Sequence, residues 1–141
     1  MRFFVNGTPA TQGSKRAFVV HGRPVLTESG GDKWRLWRHA VNDEARRAWG
    51  SQSPLSGPVS LTIHVKLPKP ASTPKRRRTY PTGARSGDVD KYCRAILDSL
   101  TGVIYGDDSQ VVSLRVEKDW AEDRIGAEIE VAVVAEEAPH A

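Results

Sequence analysis

Asp88-Val-Asp90-Lys-Tyr-Cys-Arg94-Ala-Ile-Leu-Asp98-Ser-Leu100-Thr-Gly102-Val-Ile-Tyr-Gly-Asp107-Asp108-Ser-Gln110 holds a helix, its stop and a turn into a strand. Tyr92, Cys93, Ile96, Leu97 and Leu100 recur at steps of three and four, so Asp88–Leu100 is expected to be a helix with one buried stripe. Gly102 follows as its stop, and Gly106-Asp107-Asp108-Ser109 has turn chemistry. Beyond it the period changes to two. Val112, Leu114, Val116 and Trp120, with Lys118 between, mark a strand. Ile125, Ala127, Ile129, Val131 and Val133 alternate with Glu128 and Glu130 and mark a second. Ala121-Glu-Asp-Arg124 is the expected link, with the two strands paired across it.

Before the quoted stretch, Leu61, Ile63, Val65 and Leu67 alternate with Thr62, His64 and Lys66, a half-buried strand that leaves His64 on the polar face as a surface histidine. Trp34, Trp37, Val41, Ala45 and Ala48 give an amphipathic helix over Asp32–Trp49, with both tryptophans on the core side. Gly30-Gly31-Asp32 caps it and Gly50-Ser51 stops it. Ala17–Val20 and Pro24–Thr27 flank His21-Gly-Arg23 as a hairpin, and Phe3–Val5 forms a short first strand. The layout is β-ββ-α-β-α-β-β, an α+β domain over 1–135 with a small mixed sheet, two principal helices and a disordered tail over 136–141.

A chain of 141 residues with 38% hydrophobic and 27% charged residues is long enough for its own core. No apolar run is long enough to span a bilayer, and the first residues lack a signal-peptide core of adequate length. Cys93 is the one cysteine, which excludes an intrachain disulfide and a multi-cysteine zinc site. A reducing, cytoplasmic setting is therefore expected.

The net charge of +4 conceals a polarised chain. Residues 1–85 carry 16 Lys and Arg against 4 Asp and Glu, whereas 86–141 carry 5 against 13. Such asymmetry points to a polyanion partner for one region, unless the fold mixes the two fields. The basic excess peaks between Pro68 and Gly87, where Lys69, Lys75, Arg76, Arg77, Arg78 and Arg85 meet no acid. Four prolines exclude regular structure there, and self-repulsion favours an exposed, mobile loop. Lys75–Arg78 with Tyr80 suits a nucleic-acid backbone clamp, with a solvated basic loop or a targeting patch as the alternative. Thr8–Arg16 ends in Lys15 and Arg16 and is either a second phosphate-contacting loop or an ordinary solvated one.

The carboxylates that follow this loop admit two readings. Asp88 and Asp90 sit at a helix entrance, where acids cap N–H groups and suit the helix dipole. Asp107 and Asp108 sit in a turn, where Asp is common. Alternatively Asp88, Asp90 and Asp108 form an oxygen-only cluster for Mg²⁺ or Mn²⁺, provided the next strand runs back along the helix. Such an ion polarises a phosphodiester and activates water. Arg94 then bridges Asp90 or Asp98, or offsets phosphate charge. Cys93 is expected to be a packed hydrophobe.

Asp88-Val-Asp90-Lys-Tyr-Cys-Arg94, Leu97-Asp98-Ser-Leu100 and Gly106-Asp107-Asp108-Ser-Gln110-Val111 together resemble the RusA family of Holliday junction resolvases. Pro74-Lys-Arg-Arg-Arg-Thr79 and Gly7-Thr-Pro with Gln12-Gly-Ser14 are similar to phage-type members. The resemblance implies a homodimeric, Mg²⁺-dependent endodeoxyribonuclease that nicks four-way DNA junctions in pairs. It implies Asp88, Asp90 and Asp108 as the essential carboxylates. The family's lysine four residues past the second aspartate is Arg94 here, and its frequent asparagine after that aspartate is Lys91, a further cation for DNA.

The combined expectation is metal-assisted cleavage by Asp88, Asp90, Asp108 and Arg94, with Lys15, Arg16, Lys75, Arg76, Arg77, Arg78 and Lys91 on the DNA. A non-catalytic DNA-binding module is the competing class, and it would bind with salt sensitivity but without regard to metal. A nuclease for other branched DNA is the competing substrate. Glu117-Lys118 lacks the spacing of a PD-(D/E)xK nuclease.

Overall fold

The computed structural model describes residues 1–13, 15–28 and 31–137. Its elements are β1 (Arg2–Asn6), β2 (Lys15–Val20), β3 (Arg23–Glu28), α1 (Gly31–Trp49), β4 (Val59–Leu67), α2 (Val89–Leu100), β5 (Val111–Trp120) and β6 (Gly126–Val133). The order is the one expected from periodicity, and the class is α+β. The ends differ by one or two residues, as they do wherever a terminal turn frays. Of the expected tail, residues 138–141 lie outside the described residues.

Four strands form a sheet in the order β1-β6-β4-β5, and β2 and β3 form a separate hairpin. Only β4 and β5 are parallel, with Leu61 beside Leu114 and Leu67 beside Trp120. The expected pairing of β5 with β6 is therefore corrected. β6 lies between β1 and β4, antiparallel to both. Alternation marks a strand but does not choose its neighbour, and burial explains the choice. Val59, Leu61, Ile63, Val65 and Leu67 of β4, and Ala127, Ile129 and Val131 of β6, are almost wholly buried, so these strands take the sheet centre. β5 leaves Val112 62% and Leu114 44% exposed, as befits an edge. The link after β5 crosses the end of β4, where Ala121 N–H donates to Leu67 O at 2.7 Å.

One glycine makes the tight β1–β6 contact possible. A Cβ on Gly126 would stand 1.9 Å from the Val5 carbonyl oxygen, and its φ is +153°.

Both helices pack on one face of the sheet. Trp37, Val41 and Ala45 of α1 and Tyr92, Cys93, Ala95, Ile96 and Leu100 of α2 join Leu61, Ile63, Val65, Ile129 and Val131 in one core. Trp37 is buried as expected, and a Cβ on Gly7 would stand 3.6 Å from its ring. Trp34 is only partly buried; its indole N–H reaches Gln12 Oε1 at 3.3 Å, and Arg38 stacks 5.1 Å from its ring. The opposite face of the sheet is polar, with Arg2 bridging Glu130 at 2.9 Å. His64 lies on that face but is not simply a surface residue. Its Nε2 is buried without a hydrogen-bond partner among the described residues and stands 3.6 Å from the Asp119 carboxylate.

Candidate active site

β4, the long basic connection, α2 and β5 make one parallel crossover, and every acid of the quoted stretch lies on it. Asp88 occupies the N-cap position of α2, with φ −90° and ψ 142°, and its carbonyl accepts from the N–H groups of Lys91 and Tyr92. Its side chain makes no cap hydrogen bond. The carboxylate is exposed, with the Lys91 ammonium 3.6 Å away. Asp90, in the first turn, is exposed too and has no ion pair among the described residues. The capping reading of Asp88 thus accounts for its backbone, while its carboxylate is uncapped and exposed beside the Lys91 ammonium. Asp90 also adds to burial in raising the Cys93 thiol, so that cysteine is a packed hydrophobe and a poor nucleophile.

The turn ahead of Asp88 is held from several directions. Gly87 has φ +84°, and a Cβ there would stand 2.7 Å from the Tyr92 hydroxyl and 2.8 Å from Thr11. Tyr92 donates its hydroxyl proton to Ser86 O. The Lys118 ammonium, on the helix-facing side of β5, donates to Gly87 O at 2.7 Å and to Ser86 Oγ at 3.0 Å. The segment after β1 lies along α2, with Gln12 N–H on Lys91 O at 3.1 Å and Gln12 Nε2 on Asp98 at 2.7 Å. Asp98 is therefore committed to Gln12. Lys15 and Arg16 follow at the start of β2, and their side chains lie outside what the structure describes.

The second acidic turn is built differently. Asp107 is the N-cap of a short 3-10 helix, Asp108–Gln110, and closes a reciprocal cap with Gln110. Its carboxylate accepts from the Ser109 hydroxyl and N–H, which holds its pKa below the usual carboxylate value. Gln110 Oε1 accepts from Asp107 N–H at 2.9 Å, and its Nε2 donates to the carbonyls of Leu55 and Gly57. Asp108 is left exposed. The turn packs on the later part of α2, where the Tyr105 hydroxyl donates to Leu97 O at 2.9 Å.

β5 does run back along α2, but the end that reaches the helix start carries Lys118, not Asp108. A 12-residue helix is about 18 Å long, and the two acidic turns belong to its two halves. Among the described residues no three His, Cys, Asp or Glu side chains stand close enough together to hold a metal ion. Asp88 and Asp90 share the start of α2, and no cluster uniting them with Asp108 forms among the described residues. The donor set of Asp88 and Asp90, two exposed carboxylates, fits a hard divalent cation that keeps several waters.

The cations separate into anchored and free groups. Arg94 is exposed on α2 without an ion pair among the described residues, so it bridges neither Asp90 nor Asp98. Lys75, Arg76 and Arg77 are exposed and likewise unpaired among the described residues. Arg78 is tied to Asp119, which is 8% exposed, and stacks 4.9 Å from the Tyr80 ring. The loop expected to be mobile throughout thus has a fixed point at the end of β5.

Asp119 and Lys118 carry structural consequences that pattern reading missed. The signal for Lys118 was present, since it interrupts the apolar face of Val116 and Trp120. Asp119 gave none, because an acid on the polar face of a strand is ordinary.

The model of the family described as Endodeoxyribonuclease RusA matches residues 7–132. The chain belongs to the RusA family. It is accordingly an endodeoxyribonuclease, a hydrolase acting on DNA, in a family of Holliday junction resolvases that depend on divalent metal. It is also 28% identical over 130 residues to a Bacillus subtilis (strain 168) protein described as uncharacterized protein YqaN, covering 87% of this chain and 89% of that one. No helix among the described residues is long and apolar enough to cross a membrane.

Proposed function

We propose that this RusA-family protein resolves four-way DNA junctions as a Mg²⁺-dependent homodimer, through paired nicks. The observation that carries the metal reading is the exposed carboxylate of Asp88, which makes no cap bond and has the Lys91 ammonium 3.6 Å away, two residues from the exposed Asp90. A helix cap that withholds its side chain from the helix leaves two hard oxygen donors facing solvent, next to the most basic loop of the chain.

Asp88 and Asp90 hold the ion, with Mn²⁺ as a substitute. When bound, it supplies Lewis-acid polarisation of the phosphodiester and a more acidic water. Asp108 belongs to the same set but not to the same half of α2, so two chains are the economical way to unite the three. In the homodimer, Asp108 of the partner subunit completes the site, and two-fold symmetry yields two sites for two nicks. Arg94, on α2 beyond Asp90, offsets charge on the phosphate in the transition state. Lys75, Arg76 and Arg77 neutralise backbone phosphates, with Arg78 as their anchored neighbour. Lys15, Arg16 and Lys91 extend the basic surface.

A labelled synthetic four-way junction tests this directly. Symmetric nicks are expected with Mg²⁺ or Mn²⁺ and none without metal, and light scattering should give a dimer. Cleavage that persists in a chelator, or an Asp90→Asn protein that cuts as fast as wild type, removes the metal reading.

A further inference from the structure

The parallel pair β4 and β5 ends at Leu67 and Trp120, beside the start of α2. In open sheets with crossover helices, ligands lodge outside the carboxyl ends of such strands. A cavity of about 600 Å³ lies there, within the usual range for a small-ligand site. Pro9, Leu67, Pro70, Tyr80, Tyr92 and Trp120 form much of its wall, and so do Ser86 and Gly87, immediately before Asp88. Its neighbourhood is thus apolar and aromatic within two residues of the proposed metal ligands.

We propose that this cavity receives one unstacked nucleobase of the DNA strand being cut, an inference that rests on the nuclease reading above. Three features favour a base over another apolar group. Lys33 and Arg85 also line the cavity, and Arg78 stands over the Tyr80 ring, so a polyanion can approach the opening while an apolar group enters. Tyr80 is 57% exposed, with its ring held by an arginine that is itself tied to Asp119; this offers a preset stacking surface. The Trp120 indole N–H is buried and has no hydrogen-bond partner among the described residues. A buried donor without a partner is costly, and a small shift of the indole toward the cavity would let a base carbonyl or ring nitrogen satisfy it. An unpaired base near a branch point is the least costly to withdraw from a stack. The cavity would then select the base beside the cut.

Photo-crosslinking tests the proposal without requiring cleavage. Four-way junctions carrying 5-iodouracil at successive positions around the branch point are bound to the wild-type protein without divalent metal and irradiated, and the peptides are mapped. Crosslinks at Tyr80 or Trp120 are expected from one position per strand. A junction that binds yet crosslinks only elsewhere, or does not bind at all, overturns the proposal. A second arm uses cleavage. Removing the base at the crosslinking position should slow wild-type cutting by roughly tenfold, the order of one stacking contact. Tyr80→Ala should cut the intact and abasic junctions at rates within about a factor of two, because the stacking term is gone. Equal rates of wild type on both substrates also overturn it. Crosslinking at Tyr80 without any metal-dependent cleavage would instead preserve the base site and refute the nuclease reading.

Discussion

Asp88 and Asp107 occupy the same structural position, the N-cap of a helix, and use it in opposite ways. Asp107 turns its carboxylate inward onto Ser109 and joins Gln110 in a reciprocal cap. Asp88 contributes its backbone carbonyl, and its carboxylate makes no cap bond and lies exposed, 3.6 Å from the Lys91 ammonium. The neighbours explain the difference. The turn before Asp88 is already held by Tyr92, Lys118 and the left-handed Gly87, so the cap is not required for order. The Asp107 turn is held on its entry side by Tyr105 on Leu97 and by Gly106 N–H on Gln110, and it adds its own acid as a cap. An aspartate released from structural duty is available for an ion.

The contrast predicts a separation of activity from stability. Asp88→Asn should lower junction cleavage by roughly 100-fold or more, since even outer-shell changes at metal sites cost about 10–100-fold. Its melting temperature should stay at the wild-type value, because no cap bond is lost. Asp107→Ala should do the reverse, lowering the melting temperature while cutting far faster than Asp88→Asn. Equal losses of cleavage in both proteins would erase the distinction.

Gly87→Ala sharpens the point about what holds Asp88. The positive φ and the close Tyr92 hydroxyl should cost about 1–3 kcal/mol in denaturant unfolding, and cleavage should fall with it. Lys118→Met removes both bonds from the ammonium to the turn while keeping the aliphatic stem. Cleavage should drop by about tenfold, on the scale of a lost supporting contact. A higher Mn²⁺ requirement should accompany it, and junction affinity should hold. An unchanged metal titration would show that the lysine acts only on packing.

The smallest effect concerns pH. Asp107 has a depressed folded-state pKa, so its contribution is complete above the ordinary carboxylate range and fades as pH falls through the depressed value. The gap in melting temperature between wild type and Asp107→Ala should therefore be full at neutral pH and shrink in acid. A gap that widens on acidification would contradict the cap.

The order of elements was legible because helical and strand periodicities are local properties. Both helices and β4 follow from their apolar stripes alone. The pairing of β5 was not legible, since alternation describes a face and not a neighbour. The separation of Asp108 from Asp88 was hidden for a related reason. A strand returning along a helix reverses which of its ends meets the helix start, so Lys118 arrives there instead. Asp98 looked like a member of an acidic face and is instead bound by Gln12, 86 residues away in the chain. Long-range partners of that kind leave no mark in a local pattern.

The position of β6 has a consequence for how the molecule assembles. Among the described strands β1 pairs with β6 alone, so a strand made early waits for one made more than a hundred residues later, with Arg2 opposite Glu130. Contacts this distant in sequence make for slow closure of the sheet. Until β6 arrives, β4 also lacks one of its two neighbours. The crossover with its acids and basic loop can be translated early, but the sheet beneath it closes only after residue 133 has left the ribosome. The fold thereby delays a DNA-cutting surface until its supporting sheet is complete.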